Sequence, residues 1–102
     1  MQYVELVNLT AIERFTRKHS DAGDWFANWI DIAQAADWRN ILDVRHQFPS
    51  ADGVKLKNRT VVTVFNVKGN EYRLLTIISY SAQRVVVLDI LTHAEYSKDK
   101  WK

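Results

Sequence analysis

The spacing of the apolar residues changes once along this chain, near its single proline, Pro49, and that change constrains the fold more than any other feature. Before Pro49 the apolar residues recur at three- and four-residue steps. Leu9, Ile12 and Phe15 share one face of a first helix, with Arg14, Arg17 and Lys18 on the other faces and Asn8 or Thr10 placed to cap it. Beyond Ser20 and Asp21, the residues Trp25, Phe26, Trp29, Ile30, Ile32, Ala33 and Ala36 give a second helix a broad apolar face, expected to pack with the first as a hairpin. Asn40 to Gln47 reads as a third, short helix. It must stop at Phe48, because the residue before a proline is pushed out of helical geometry.

After Pro49 the pattern is that of strands. Residues 61–67 (VVTVFNV), 72–80 (YRLLTIISY) and Val85 to Leu91 are β-branched and apolar, joined by short turns at Lys68 to Asn70 and at Ser81 to Gln83. Gln2 to Val7 suits an N-terminal strand, and Thr92 with Glu95 three residues on forms a capping box for a last helical turn. The order implies one α+β domain over residues 1–102: a small sheet of the N-terminal strand plus three antiparallel strands, helices on one face, and a short C-terminal helical tail. The other face, the turns and the tail are then expected to form a concave basic surface.

Composition narrows the chemistry. Cysteine is absent, which excludes disulfides, thiolate zinc sites and a cysteine nucleophile. With three glycines there is no Gly-rich phosphate loop. The first residues carry Glu5 and Glu13 and no long apolar run, so neither a secretory signal nor a membrane span is expected and the cytoplasm is the default location. The net charge of +2 hides an asymmetry: residues 1–50 hold five basic and seven acidic side chains, and residues 51–102 hold nine and five. A basic second half favours a polyanionic partner.

Most catalytic arrangements find no support. His19, His46 and His93 stand too far apart for metal-ligand spacing, no G-x-S-x-G turn exists, and the acids fall on the polar sides of the helices rather than in a convergent pair. What remains is Arg73 within a strand, then His93, Tyr96, Lys98 and Lys100 after the last one. Arg73 either points to solvent or lies on the open sheet face, where a guanidinium matches phosphate oxygens. His93 is either a cap histidine or a proton-transfer group, and Tyr96 is either a hydrophobic anchor for the tail or part of the site.

The stretches FNVKGNEYRL (Phe65 to Leu74) and LTHAEY (Leu91 to Tyr96), the ending KDKWK, and ADWRNILDVRHQFPS (Ala36 to Ser50) resemble the HigB family of type II toxins. Both F-N-x-x-G-N-x-Y-R and T-H-x-E-Y occur, in that order. The resemblance implies a RelE-like fold and a metal-independent, cofactor-free endoribonuclease, an mRNA interferase that cleaves messenger RNA on the translating ribosome. It also implies a neutralising HigA-type antitoxin. Carried onto these positions, Arg73 would hold the scissile phosphate and His93 would transfer a proton to the leaving oxygen. Tyr96 would stack or assist proton transfer, and Lys98 would supply positive charge. Lys55, Lys57, Arg59, Lys68, Asn70 and Lys100 would contact RNA. A non-catalytic RNA-binding or antitoxin-binding module on the same fold is the alternative, and an ordinary basic protein-interaction domain a third.

Overall fold

The computed structural model describes residues 3–102. Its elements, in chain order, are β1 (Glu5–Val7), α1 (Leu9–Lys18), a 3-10 turn (Ser20–Ala22), α2 (Gly23–Ala35), α3 (Ile41–Gln47), β2 (Asp52–Lys55), β3 (Val61–Val67), β4 (Tyr72–Ser79), β5 (Arg84–Thr92) and α4 (His93–Ser97). The expected strand over Gln2 to Val7 is thus seen as Glu5–Val7, and Gln2 lies outside the described residues. The sheet has five strands rather than four, in the order β1-β5-β4-β3-β2. β1 runs parallel to β5, and the other neighbours are antiparallel. The additional strand, β2, has the sequence DGVK, whose Asp-Gly pair reads as a turn; pairing with Val61 to Val64 makes it a strand.

Local chemistry explains most element ends. The Asn40 side chain accepts from the Leu42 and Asp43 amides to cap α3, and Thr92 and Glu95 close a reciprocal capping box on α4. Asn8 stands at the start of α1 but does not cap it. Its φ is 69°, and its side chain instead donates to the Val87 carbonyl at 2.9 Å, tying the β1–α1 junction to β5. The two long helices are separated by the 3-10 turn and meet edge-on through Phe15 and Phe26, whose ring centroids are 6.1 Å apart.

Two apolar clusters sit on opposite faces of the sheet. The larger holds Ile12, Phe26, Trp29, Ala33, Trp38 and Val44 from the helical half against Phe65, Val67, Tyr72, Leu74, Val85, Val87 and Ile90. The smaller holds Val62, Val64 and Leu75, with Leu91, Tyr96 and Trp101 packed over them. The second face is therefore not an open basic surface as expected: the C-terminal tail covers part of it. Removing that apolar area from water is what holds a tail of only ten residues in place.

A bulge re-phases β5. Leu75 pairs with Asp89 and Thr76 with Val87, which leaves Leu88 unpaired and 43% exposed. Before the bulge, Val85 and Val87 face the helices; after it, Ile90 does, and Leu91 turns to the second face. Cross-strand partners share a face, so Leu91 lies beside Arg73, and His93, two residues on, emerges on Arg73's side of the sheet.

Candidate active site

Arg73 is one of three buried polar or charged side chains among the described residues, at 7% exposure, so it neither points freely to solvent nor lies on an open face. Its surroundings account for the burial. Nη1 donates to the carbonyls of Asn70 (3.2 Å) and Tyr72 (3.1 Å), and Nη2 donates to the Asn70 side-chain oxygen and approaches His93 Nδ1 at 3.2 Å. The guanidinium carbon stands 5.4 Å from the centroid of the Tyr96 ring. A guanidinium costs too much to bury without such partners, and the turn between β3 and β4 is shaped to provide them. Lys68 and Gly69 both take positive φ there, 51° and 69°, which curls the chain so that Asn70 presents both its carbonyl and its amide oxygen to Arg73.

The Arg73 contact selects one tautomer of the histidine. Arginine can only donate, so Nδ1 of His93 accepts and the proton of the neutral ring is on Nε2. His93 is exposed, the first residue of α4, and its own amide donates to the Glu71 carbonyl at 3.1 Å. The site thus joins a buried cation to a solvent-facing imidazole with an assigned tautomer.

Tyr96 completes the group. Its ring stacks on Trp101, with centroids 5.0 Å apart and planes at 15°, while the Trp101 indole donates to the Tyr96 carbonyl at 3.0 Å. Burial, as the main cause, raises the Tyr96 hydroxyl above the usual phenol range, so at neutral pH it is a proton donor. Between Trp101 and Arg73 the ring is already engaged, which leaves the hydroxyl as its free functional group.

The remaining sequence candidates are placed differently. Lys98 caps the C-terminal end of α4 and, with Lys100, Asp89, Leu91, Glu95 and Trp101, lines an open groove of about 370 Å³. None of the hydrogen bonds or ion pairs among the described residues joins Lys98 to Arg73 or His93. Lys55, Lys57 and Arg59 are exposed at and after the end of the edge strand β2, on the β2–β3 connection. Lys68 is at the site's turn, but its amine is 3.1 Å from Asp21 Oδ2. Asn70, expected to touch RNA, also holds Arg73 through its carbonyl and side-chain oxygens.

Sequence reasoning missed a second polar group behind that turn. The Tyr72 hydroxyl donates to both oxygens of Asp21, at 3.1 and 2.9 Å, and lies 3.5 Å from His19 Nδ1. The Tyr72 hydroxyl and then Lys68 hold the Asp21 carboxyl below the ordinary carboxylate value, and the same bond raises the Tyr72 phenol. No local signal could have revealed this, because some fifty residues separate the partners.

Among the described residues no group of three His, Asp or Glu side chains gathers as a metal site, and no helix is long and apolar enough to cross a membrane. Comparison with known proteins places the chain in a family. A 25% identical relative over 95 residues, 93% of this chain and 90% of its own length, is the mRNA interferase HigB of Escherichia coli O6:H1 (strain CFT073). The mRNA interferase toxin HigB of Escherichia coli K12 is 37% identical over 49 residues, 48% of this chain and 45% of its own. The model of the HigB toxin family, described as the RelE-like toxic component of a toxin-antitoxin system, matches residues 23–99, a span that contains Arg73, Asn70, His93 and Tyr96. With its sheet, its helical layer and its Arg73–His93 pair all inside or against that span, this chain belongs to the HigB family of toxins.

Proposed function

We propose that this protein is an mRNA interferase that cuts messenger RNA on the translating ribosome in the cytoplasm, stops translation, and is silenced by a HigA-type antitoxin. The observation that carries the reading is the Arg73–His93 pair: a preorganised cation 3.2 Å from an imidazole at the rim of the sheet. In the reaction the ribose 2′-oxygen bonds to the adjacent phosphorus and the bond from phosphorus to the 5′-oxygen breaks. The products are a 2′,3′-cyclic phosphate and a 5′-hydroxyl. The chain must therefore steady a more negative phosphorane and deliver a proton to the 5′-oxygen.

Both Nη atoms of Arg73 are occupied in the free protein, so the phosphate must compete for them. All four acceptors are neutral, and His93 is exposed and held by a single contact, so it is the partner a phosphate displaces; an ionised oxygen attracts the guanidinium more strongly than a neutral acceptor does. Substrate entry thus draws Nη2 off the imidazole. Nδ1 then takes up a proton from water, the imidazolium hands its Nε2 proton to the 5′-oxygen, and the hydroxide left behind takes the 2′-hydroxyl proton. The protonated Tyr96 hydroxyl donates to the phosphorane, and Lys98 adds charge from the tail. Neither a metal nor a cofactor is needed for this sequence of steps.

The test is to induce the wild-type chain and an Arg73→Ala, His93→Gln double variant in bacteria and map new 5′ ends on translated and untranslated copies of one messenger. Cuts by the wild type alone, confined to the translated copy, are expected. Cuts on both copies would remove the ribosome from the reading, and stable protein with no cuts would replace it by the non-catalytic binding module.

A further inference from the structure

The geometry points to a second RNA-binding surface on α1, formed by Arg14, Arg17 and Lys18 around the Phe15 and His19 rings, which takes the backbone of the substrate strand away from the scissile phosphate. The inference rests on the interferase reading above. Its sequence signal is weak, since the first fifty residues are net acidic; the fold gathers three of their five basic residues into one place.

Phe15 and His19 stack at 4.4 Å between centroids, with planes at 23°, and with the three cations they line an open groove of about 360 Å³. All three cations are exposed, and none takes part in an ion pair among the described residues. Lys68, by contrast, is paired with Asp21. Four acids lie in the neighbourhood. Asp89 shares a small pocket with Arg14 and Phe15, and Glu95 is close enough to feel the charge of His19. Glu13 lies one helical turn before Arg17, and Asp21 is engaged by Tyr72 and Lys68. Cations in the last turn of a helix complement its dipole, which accounts for Arg17 and Lys18 on stability grounds. It does not account for Arg14 in mid-helix, nor for a cationic groove with an aromatic floor, which is the pattern of single-stranded nucleic-acid sites.

Position ties the groove to the candidate site. His19 lies within reach of the Tyr72 hydroxyl, and Tyr72 and Arg73 are successive residues at the start of β4, one on each face of the sheet. The groove and the Arg73–His93 pair therefore open at the same end of the sheet, where the β3–β4 turn and the start of α4 meet. A strand whose scissile phosphate sits at Arg73 passes around this rim to α1.

The measurement is the affinity of an uncleavable 2′-O-methyl RNA strand as a function of salt. The wild type is compared with the Arg14→Gln, Arg17→Gln, Lys18→Gln triple variant, with an Arg14→Lys, Arg17→Lys variant, and with Arg39→Gln as a charge control whose side chain pairs with Asp37. The triple variant is expected to bind about tenfold more weakly at low salt and to lose about two units of the log–log salt slope, as three phosphate contacts on a single strand require. The lysine variant keeps the slope, and the control is unchanged. An unchanged slope in the folded triple variant overturns the proposal. So does a triple variant that loses only ribosome association, or only antitoxin binding, since the surface then serves ribosomal RNA or a protein. Messenger cleavage by the wild type and not by Arg73→Ala, run in parallel, keeps the interferase reading standing if the α1 surface fails.

Discussion

Asp21, in the 3-10 turn before α2, accepts the Tyr72 hydroxyl on both carboxylate oxygens and the Lys68 amine on one of them, so a single carboxylate ties both ends of the β3–β4 turn. That turn supplies the Asn70 oxygens that hold Arg73.

The pair gives the stability a defined pH dependence. Because the Asp21 carboxyl is held below its ordinary value of 3.8, its contribution is complete above about pH 4 and is lost as pH falls through the folded value. Tyr72, raised above 10.0, contributes below that pH and loses the contribution as pH rises. Urea midpoints measured across pH are expected to fall less steeply in acid for Asp21→Asn than for the wild type, and Tyr72→Phe should flatten both the acid and the alkaline limbs.

Arg73→Lys tests whether fork geometry or charge matters. A lysine cannot make the four contacts that two Nη atoms make, so cleavage should fall by about 10²–10³-fold, the range for loss of a preorganised oxyanion donor. Single-turnover cleavage of a ribosome-bound messenger reads the effect, and retention of activity by the lysine variant would reduce Arg73 to a source of charge.

Nitrogen NMR of the His93 ring checks the tautomer. In the free protein the proton is expected on Nε2, with Nδ1 as acceptor, and an uncleavable RNA strand should shift the Nδ1 resonance as the guanidinium leaves it. A proton found on Nδ1 before RNA is added would break the assignment.

Thr92→Ala removes the capping box that starts α4 at His93, at a cost of about 1 kcal/mol. Activity should fall further than this global loss implies, because His93 is the first residue of that helix. Equal losses in thermal stability and in cleavage would show that α4 need not be ordered for the chemistry.

Trp101→Ala removes the ring stacked on Tyr96 and uncovers Val62, Val64 and Leu75. The ring pair alone is worth about 0.5–1.5 kcal/mol beyond its burial. A lowered denaturant midpoint, together with a Tyr96 hydroxyl that titrates nearer the ordinary phenol value, is the expected outcome.

By itself the sequence determined the layer arrangement and most element boundaries. These follow from short-range rules: the period of Leu9, Ile12 and Phe15, the Asn40 and Thr92 caps, the brake at Pro49, and the β-branched apolar run of β3. The motifs around Arg73 and His93 also marked two members of the candidate site, and the family. Three things needed the tertiary structure. β2 exists only because β3 offers it backbone partners, so DGVK carries no strand signal of its own. Leu88 is the extra residue of a bulge, and without it strict alternation would have sent His93 to the helix side of the sheet, away from Arg73. The roles of Asn70, Asp21 and Trp101 rest on contacts with residues from other elements or across a strained turn. Periodicity reports which face a residue favours within its own element; which charged groups meet there depends on register and on chain closure over long separations, and that only packing decides.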